Sequence, residues 1–368
     1  MKDENAQQLL TSVMGWDNPE DVKKYVQKLQ LLADYKYDHY QRFGPGKRFI
    51  ESLALWLNQL KSTDRSIALD FVADHLIFIS ESEFSHLVQT AYPDWIVQER
   101  IRLVSEEKRI PLYRVQQITT DRRFQELGIK SLYLGLSDGA RTNDLRRASN
   151  GEINNEQIWQ AYELSKDKAA DMSKELKKAL ESAGYQTKEP RFNMIWLLDD
   201  FSGSGNTYIR FDKEKKEFKG KIKKIYESLH SGDLIDPAHY EVFLLLYVAT
   251  RQAVDHIEYW AEQFTSERGY KPLQLRTLFL IEPKYALNKI DNPELSAIIE
   301  TDEYYDDKAT DTHILVGGTE DARWGFAGCA LPVVLAHNTP NNSIYILWGP
   351  ETFDFCGLFP RMSRHREL

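Results

Sequence analysis

Two adjacent carboxylates, Asp199 and Asp200, end an apolar run and begin a short loop of glycines and hydroxyl residues, MIWLLDDFSGSGNT over residues 194–207. Acids placed where a buried strand ends lie within reach of sugar hydroxyls or of a bound magnesium ion. Ser202, Gly203, Ser204, Gly205, Asn206 and Thr207 offer backbone N–H groups and hydroxyls that wrap around a phosphate, because nests of N–H donors bind anions. The two features together suit a phosphorylated ribose, with the acids on the sugar and the loop on its phosphate.

Three other loop types share part of this pattern and each lacks a residue. A Walker A loop needs a lysine where Asn206 stands. A nucleophile elbow needs a glycine where Ser202 stands, two residues before Ser204. A dinucleotide fingerprint begins at Gly203 and Gly205 but is not completed at Tyr208. An ordinary glycine–serine turn after a core strand is the plain alternative. The segment resembles the motif with which type I phosphoribosyltransferases bind phosphoribosyl pyrophosphate (PRPP), and Asp199, Asp200, Phe201, Ser204, Gly205 and Thr207 match it in order and without gaps. The resemblance implies that Asp199 and Asp200 are catalytic, holding the ribose hydroxyls directly or through magnesium that arrives with the substrate. It implies that residues 202–207 bind the phosphate of the ribose.

Such a site needs a second loop for the pyrophosphate of the donor. Ser137, Asp138, Gly139, Ala140 and Arg141 follow the apolar run SLYLG and resemble that loop in position and size. Gly139 adopts backbone conformations that other residues resist, and Arg141 carries a planar fork suited to phosphate oxygens. The same residues also read as a surface turn with a solvated arginine. Better-known family members often carry Arg-Gly-Gly or Lys-Gly here, which this loop lacks.

Both loops must hang from strands. Residues 131–135 and 194–198 read as apolar strands, 240–250 as a buried strand and 273–282 as a further strand. Helical periodicity is predicted over residues 155–183, 221–229 and 252–264. Strands alternating with helices predict an α/β fold, a mainly parallel sheet with helices on both faces, whose sites lie beyond the carboxyl ends of the strands. Residues 21–35, 47–60 and 66–79 carry apolar residues at helical spacing, Ser82 is a candidate cap, and Tyr92-Pro93 is expected to break the helix that follows. The expected division is a mostly helical N-terminal region over residues 1–128 and a phosphoribosyltransferase-like α/β domain over residues 129–368. A helix over 321–336 and a strand over 344–348 are expected to close the chain.

The remaining features point to less chemistry. A polar run, residues 337–342, reads as a turn or as part of a base pocket. Arg361, Arg364, His365 and Arg366 form a basic tail, read as a solvated terminus rather than as a group that reaches a phosphate or a nucleic-acid partner. The lysine-rich run 213–224 reads as a solvated face. Asp302, Glu303, Asp306 and Asp307 read as a loop, and the histidines show no metal-ligand spacing. With a formal net charge of -9 the chain is not a protein whose whole surface grips nucleic acid. Its cysteines, Cys329 and Cys356, form no CxxC pair. They fit a reducing cytoplasm, as does an opening MKDENAQQ without a signal pattern. No apolar run approaches the length of a membrane helix.

A narrower resemblance rests on GLSDGARTNDLRR, NNEQIW, LLDDFSGSGNT, GFAGCALPVVLAHNTPNNSIYILW and LFPRMSRH together. These segments are similar to phosphoribosyltransferase-like effectors of bacterial anti-phage systems, including those encoded beside retron reverse transcriptases. That resemblance implies a toxin restrained by a reverse transcriptase–nucleic acid complex. The expected activity is at the ribose anomeric carbon of PRPP or a nucleotide, as a phosphoribosyl transfer or a glycohydrolase-type hydrolysis. The competing expectation is a non-catalytic regulator that senses PRPP or a nucleotide, or binds a partner, with the same fold.

Overall fold

The computed structural model describes residues 2–160 and 166–362. Among them run nine strands: β1 Ile77–Ile79, β2 Ser131–Gly135, β3 Ile158–Trp159, β4 Met194–Ser202, β5 Arg210–Asp212, β6 Glu217–Lys219, β7 Glu241–Thr250, β8 Leu273–Ile281 and β9 Val333–Leu335. Two compact units divide the chain, Ser85–Ile281 and the pair Met1–Phe84 with Glu282–Leu368.

The Ser85–Ile281 unit is an α/β sandwich. Its five strands are all parallel, in the order β3-β2-β4-β7-β8. Parallel strands require crossover connections, usually helices that cover both faces, and the central strands are therefore apolar along most of their length. In β7 the run Val242 to Thr250 is buried throughout, and in β4 the first six residues are. One face packs Leu132, Ile195, Leu197, Leu244 and Leu246 against helices Lys166–Ser182, Lys221–Ser231 and Arg251–Arg268. On the opposite face Trp196 stacks on Phe243 with centroids 4.3 Å apart. There Glu99 of the helix Val97–Lys108 accepts from Arg276 of β8 at 2.6 Å. The short antiparallel hairpin β5–β6 stands apart from the sheet.

The other unit begins as helices: Asp3–Met14, Pro19–Tyr35, Phe49–Asn58 and Arg65–Asp74. Their apolar faces close on the end of the chain. Phe359 stacks on Phe49 at 5.7 Å, and the Trp56 indole donates to the Ile346 carbonyl at 3.0 Å. β1 pairs in parallel with β9. This explains why the units are drawn differently from the expected 1–128 and 129–368 division. The N-terminal helices complete their core with residues 287–359, while Val97–Lys108 and Arg122–Ile129 belong with the sheet.

Several local expectations are corrected. Residues 66–79 form a helix only to Asp74 and then enter β1. Ser80, not Ser82, caps the next helix, its hydroxyl accepting the Glu83 amide while Glu83 accepts the Ser80 amide at 2.8 Å. Tyr92-Pro93 does not break that helix. A wider turn, Tyr92–Ile96, carries it into Val97–Lys108, since a π-type turn absorbs a proline's missing donor. Of the helix expected over 155–183, residues 155–157 are a capped 3-10 turn, residues 158–159 are β3, and the helix is Lys166–Ser182. The rest of that expectation, 161–165, lies outside the described residues, as do Arg364, His365 and Arg366. The helix expected over 321–336 is absent. Gly325, Ala327, Gly328 and Ala330 all take positive φ, which a helix does not tolerate. The expected strand at 344–348 is a short helix, Tyr345–Trp348.

Candidate functional site

β4 runs on past the apolar core and carries both acids at its carboxyl end. Asp199 is 3% exposed, whereas Asp200 is half-buried. A carboxylate that deep in the protein needs partners, and Asp199 has them on both oxygens. Its Oδ1 accepts from the Ser137 hydroxyl and, at 3.1 Å, from the Asp200 amide. Its Oδ2 accepts from the Tyr208 hydroxyl at 2.8 Å and from Lys221 Nζ at 3.2 Å. Burial pushes the Asp199 carboxyl above its ordinary pKa, the charge of Asp200 adds to this, and Lys221, Ser137 and Tyr208 pull it back. Burial and Asp199 together push the Tyr208 phenol well above its usual range.

The glycine–hydroxyl loop, residues 202–207, follows directly. Asp200 Oδ1 accepts the Phe201 amide at 2.9 Å, and the Thr250 hydroxyl donates to the Gly203 carbonyl while accepting the Ala253 amide to cap the helix Arg251–Arg268. The amides of Gly203, Ser204, Gly205 and Thr207 donate to no protein acceptor among the described residues. They form the N–H set an anion requires. Gly205 has φ +78, and a Cβ there would lie 2.9 Å from both the Ala253 carbonyl and His256 Cδ2. The loop thus lies on the first turns of that helix with no room for a side chain at this point.

The second loop meets the first. Ser137 starts a 3-10 turn, Asp138–Ala140. Gly139 passes so close to Asp200 that a Cβ would lie 2.1 Å from its Oδ2. Arg141 adopts φ 49 and leads into the helix Thr142–Ala148, while the Ala140 carbonyl accepts from the Tyr247 hydroxyl at 3.1 Å. All residues expected at the two loops therefore lie in the Ser85–Ile281 unit, and Ser137 and Gly139 touch the acids themselves.

Lys221 and Tyr208 escaped the sequence reading. Tyr208 directly follows the motif, a position that could have drawn attention. Lys221 lies in the lysine-rich run that reads as a solvated face, and no spacing marks it. The hairpin β5–β6 carries the chain out and back, and Gly220 (φ +124) then turns Lys221 toward Asp199. Residues 337–342, by contrast, belong to the other unit. There Thr339 is fully buried and donates to the Phe359 carbonyl at 2.8 Å. Arg361 donates to the Thr339 carbonyl at 3.4 Å. Among the described residues no group of three or more His, Cys, Asp or Glu side chains is placed to hold a metal, and no helix is long and apolar enough to cross a membrane.

His256, which lies under the 202–207 loop, is expected to make this region's stability depend on acid. Its Nε2 lies 2.8 Å from the Ile209 carbonyl, and burial holds its pKa below the ordinary 6.5. The His230 ring, stacked on Tyr270 at 4.2 Å, is lowered by burial too. For a base depressed in the fold, the unfolded chain takes the proton first. Stability is thus complete above the ordinary histidine pKa and falls as pH drops through the native value. Melting temperature is expected to decline across the histidine range, and less steeply in His256→Gln, whose amide still donates to Ile209. Identical slopes would remove His256 from this account.

A parallel α/β sheet with paired acids at a strand end, a glycine–hydroxyl loop after them and a second small loop beside them defines a phosphoribosyltransferase-like protein. Residues 53–361 match the model of the PRTase-CE family, and the chain belongs to that family. No curated protein and no solved structure matches the chain.

Proposed function

We propose that the chain binds PRPP or a nucleotide between its two loops and acts at the anomeric carbon of the ribose. The observation that carries this is the meeting of Ser137 and Gly139 with the acid pair, beside a loop in which the amides of Gly203, Ser204, Gly205 and Thr207 have no protein acceptor among the described residues. Residues 202–207 hold the phosphate of the ribose. Asp200 holds ribose hydroxyls, and its charge stabilises the positive charge that develops on the sugar as the leaving group departs. Arg141 and residues 137–140 take the pyrophosphate. A base as acceptor makes the reaction phosphoribosyl transfer; water makes it hydrolysis that drains a nucleotide pool.

Magnesium accompanies the substrate in this reading. It takes hard oxygen ligands and is commonly held by one or two carboxylates plus substrate phosphates. Asp199 does not suit it, because both its oxygens already accept from the protein and one donor is a cation. Asp200, half-buried beside the second loop, fits. The ion would there supply charge neutralisation for the pyrophosphate as it leaves.

The cellular role we propose is that of a cytoplasmic anti-phage effector, a toxin restrained by a reverse transcriptase–nucleic acid complex. It is supported by the resemblance of the five segments above to retron-associated effectors. A second reading, a non-catalytic sensor of PRPP or a nucleotide, is favoured by one observation: Asp199 is engaged by the protein rather than presented to a ligand.

The test is a consumption assay with purified protein, magnesium, PRPP, NAD and a panel of nucleotides. Release of a base, pyrophosphate or ribose phosphate that disappears in Asp200→Asn is the expected result. Magnesium-dependent binding without turnover would select the sensor, and neither binding nor turnover would overturn both readings.

A further inference from the structure

Lys221 occupies a position that its own helix does not explain. It is the first residue of Lys221–Ser231, and the N-terminus of a helix carries partial positive charge that disfavours a cation. Its side chain is nonetheless only 17% exposed, beside an Asp199 side chain that is 4% exposed. The backbone is built to put it there. A Cβ at Gly220 would lie 2.4 Å from the Tyr208 carbonyl, so only glycine fits this approach. The Lys221 amide donates to Thr207 at 3.2 Å, and the next amide donates to Tyr208 at 2.9 Å.

The ammonium then makes two bonds, to Asp199 Oδ2 at 3.2 Å and to the Leu136 carbonyl at 2.8 Å. Leu136 precedes Ser137, whose hydroxyl donates to the other oxygen of Asp199. The head of the second loop is therefore tied to the end of β4 through one buried ion pair. A carboxylate offers about four lone-pair sites, and those of Asp199 meet Ser137, the Asp200 amide, Tyr208 and Lys221.

We propose that Lys221 is a positioning residue that holds Asp199 and the 136–141 loop as one piece, so that Asp199 anchors the site from within and Asp200 is the acid that meets the ligand. The second half of this statement rests on the ligand reading above; the first half does not.

The test is a double-mutant cycle read in two ways: melting without ligand, and titration with PRPP in magnesium. Lys221→Met leaves a buried carboxylate without its cation, which is strongly destabilising, so it melts several degrees below the parent and binds PRPP at least roughly tenfold more weakly. Lys221→Arg, which keeps the charge, retains most of both. Adding Asp199→Asn to Lys221→Met removes the stranded charge and raises melting above that of Lys221→Met alone, a recovery that independent sites do not show. Asp200→Asn melts near the parent yet loses more PRPP affinity than Asp199→Asn. Additive losses in the melting cycle would overturn the pairing of Lys221 with Asp199. A larger affinity loss in Asp199→Asn than in Asp200→Asn would overturn the division between the acids. If the parent takes neither PRPP nor any nucleotide of the panel in magnesium, the ligand reading falls, and with it the role given to Asp200, while the melting cycle still decides the anchor.

Discussion

Asp200→Asn is expected to lower turnover by roughly 10²–10³-fold, the usual effect of removing one preorganised electrostatic contact to a transition state. The substitution keeps shape and removes charge. Asp200 is half-buried, and its Oδ1 accepts the Phe201 amide at 2.9 Å, a bond that the asparagine carbonyl can also accept. The fold should therefore survive, with melting close to that of the parent. In the proposed reaction, the charge lost is the one that would face positive charge at the ribose carbon as the bond to the leaving group lengthens. Steady-state rates with magnesium and the substrate found in the consumption assay measure the effect. A variant that melts normally and turns over within a few-fold of the parent would show that Asp200 does not serve the reaction.

The second large effect is expected at Gly205. Its φ of +78 lies in the left-handed region, which costs an L side chain roughly 1–2 kcal/mol. Alanine there also pushes its Cβ to 2.9 Å from the Ala253 carbonyl and 3.0 Å from Ile257 Cγ1. The carbonyl is backbone within the helix Arg251–Arg268 and cannot rotate away. The loop must lift from the helix, which displaces the amides of Gly203, Ser204, Gly205 and Thr207. We expect Gly205→Ala to lose about 2–3 kcal/mol of stability, strain and overlap together. The affinity for a phosphorylated ligand should fall by at least roughly tenfold, equivalent to about 1.4 kcal/mol. Ser204→Ala, which removes only a hydroxyl, serves as the comparison and should keep its stability. Denaturant midpoints and ligand titration decide the matter. Unchanged values in Gly205→Ala would mean that the loop conformation is not what binds phosphate.

Much of the sheet was legible because strands buried on both faces must be continuously apolar. β2, β4 and β7 are such runs, while the edge strand β8 is only partly buried and carries Gln274, Arg276 and Thr277; helices interrupt the strands, and their parallel pairing follows from that alternation. The acid pair and its loop were legible for a related reason: their chemistry is local, with the donors and acids adjacent in the chain. Short pieces near the end were not. Within residues 321–336, Gly325, Gly328 and Pro332 work against a helix, and positive φ at Ala327 and Ala330 bends the segment where it packs with the N-terminal helices.

The sequence by itself determined the order of strands, acids and phosphate loop, because each is specified by neighbours along the chain. Only the tertiary structure decided how the two acids differ. Asp199 and Asp200 are chemically identical and adjacent, but strand direction alternates their side chains. One points to Lys221, Tyr208 and Ser137 inside the protein, and the other lies against Gly139 at the second loop. Lys221 reaches Asp199 only because a hairpin folds out and back between them, a closure of the chain in space that leaves no periodicity in the sequence to announce it.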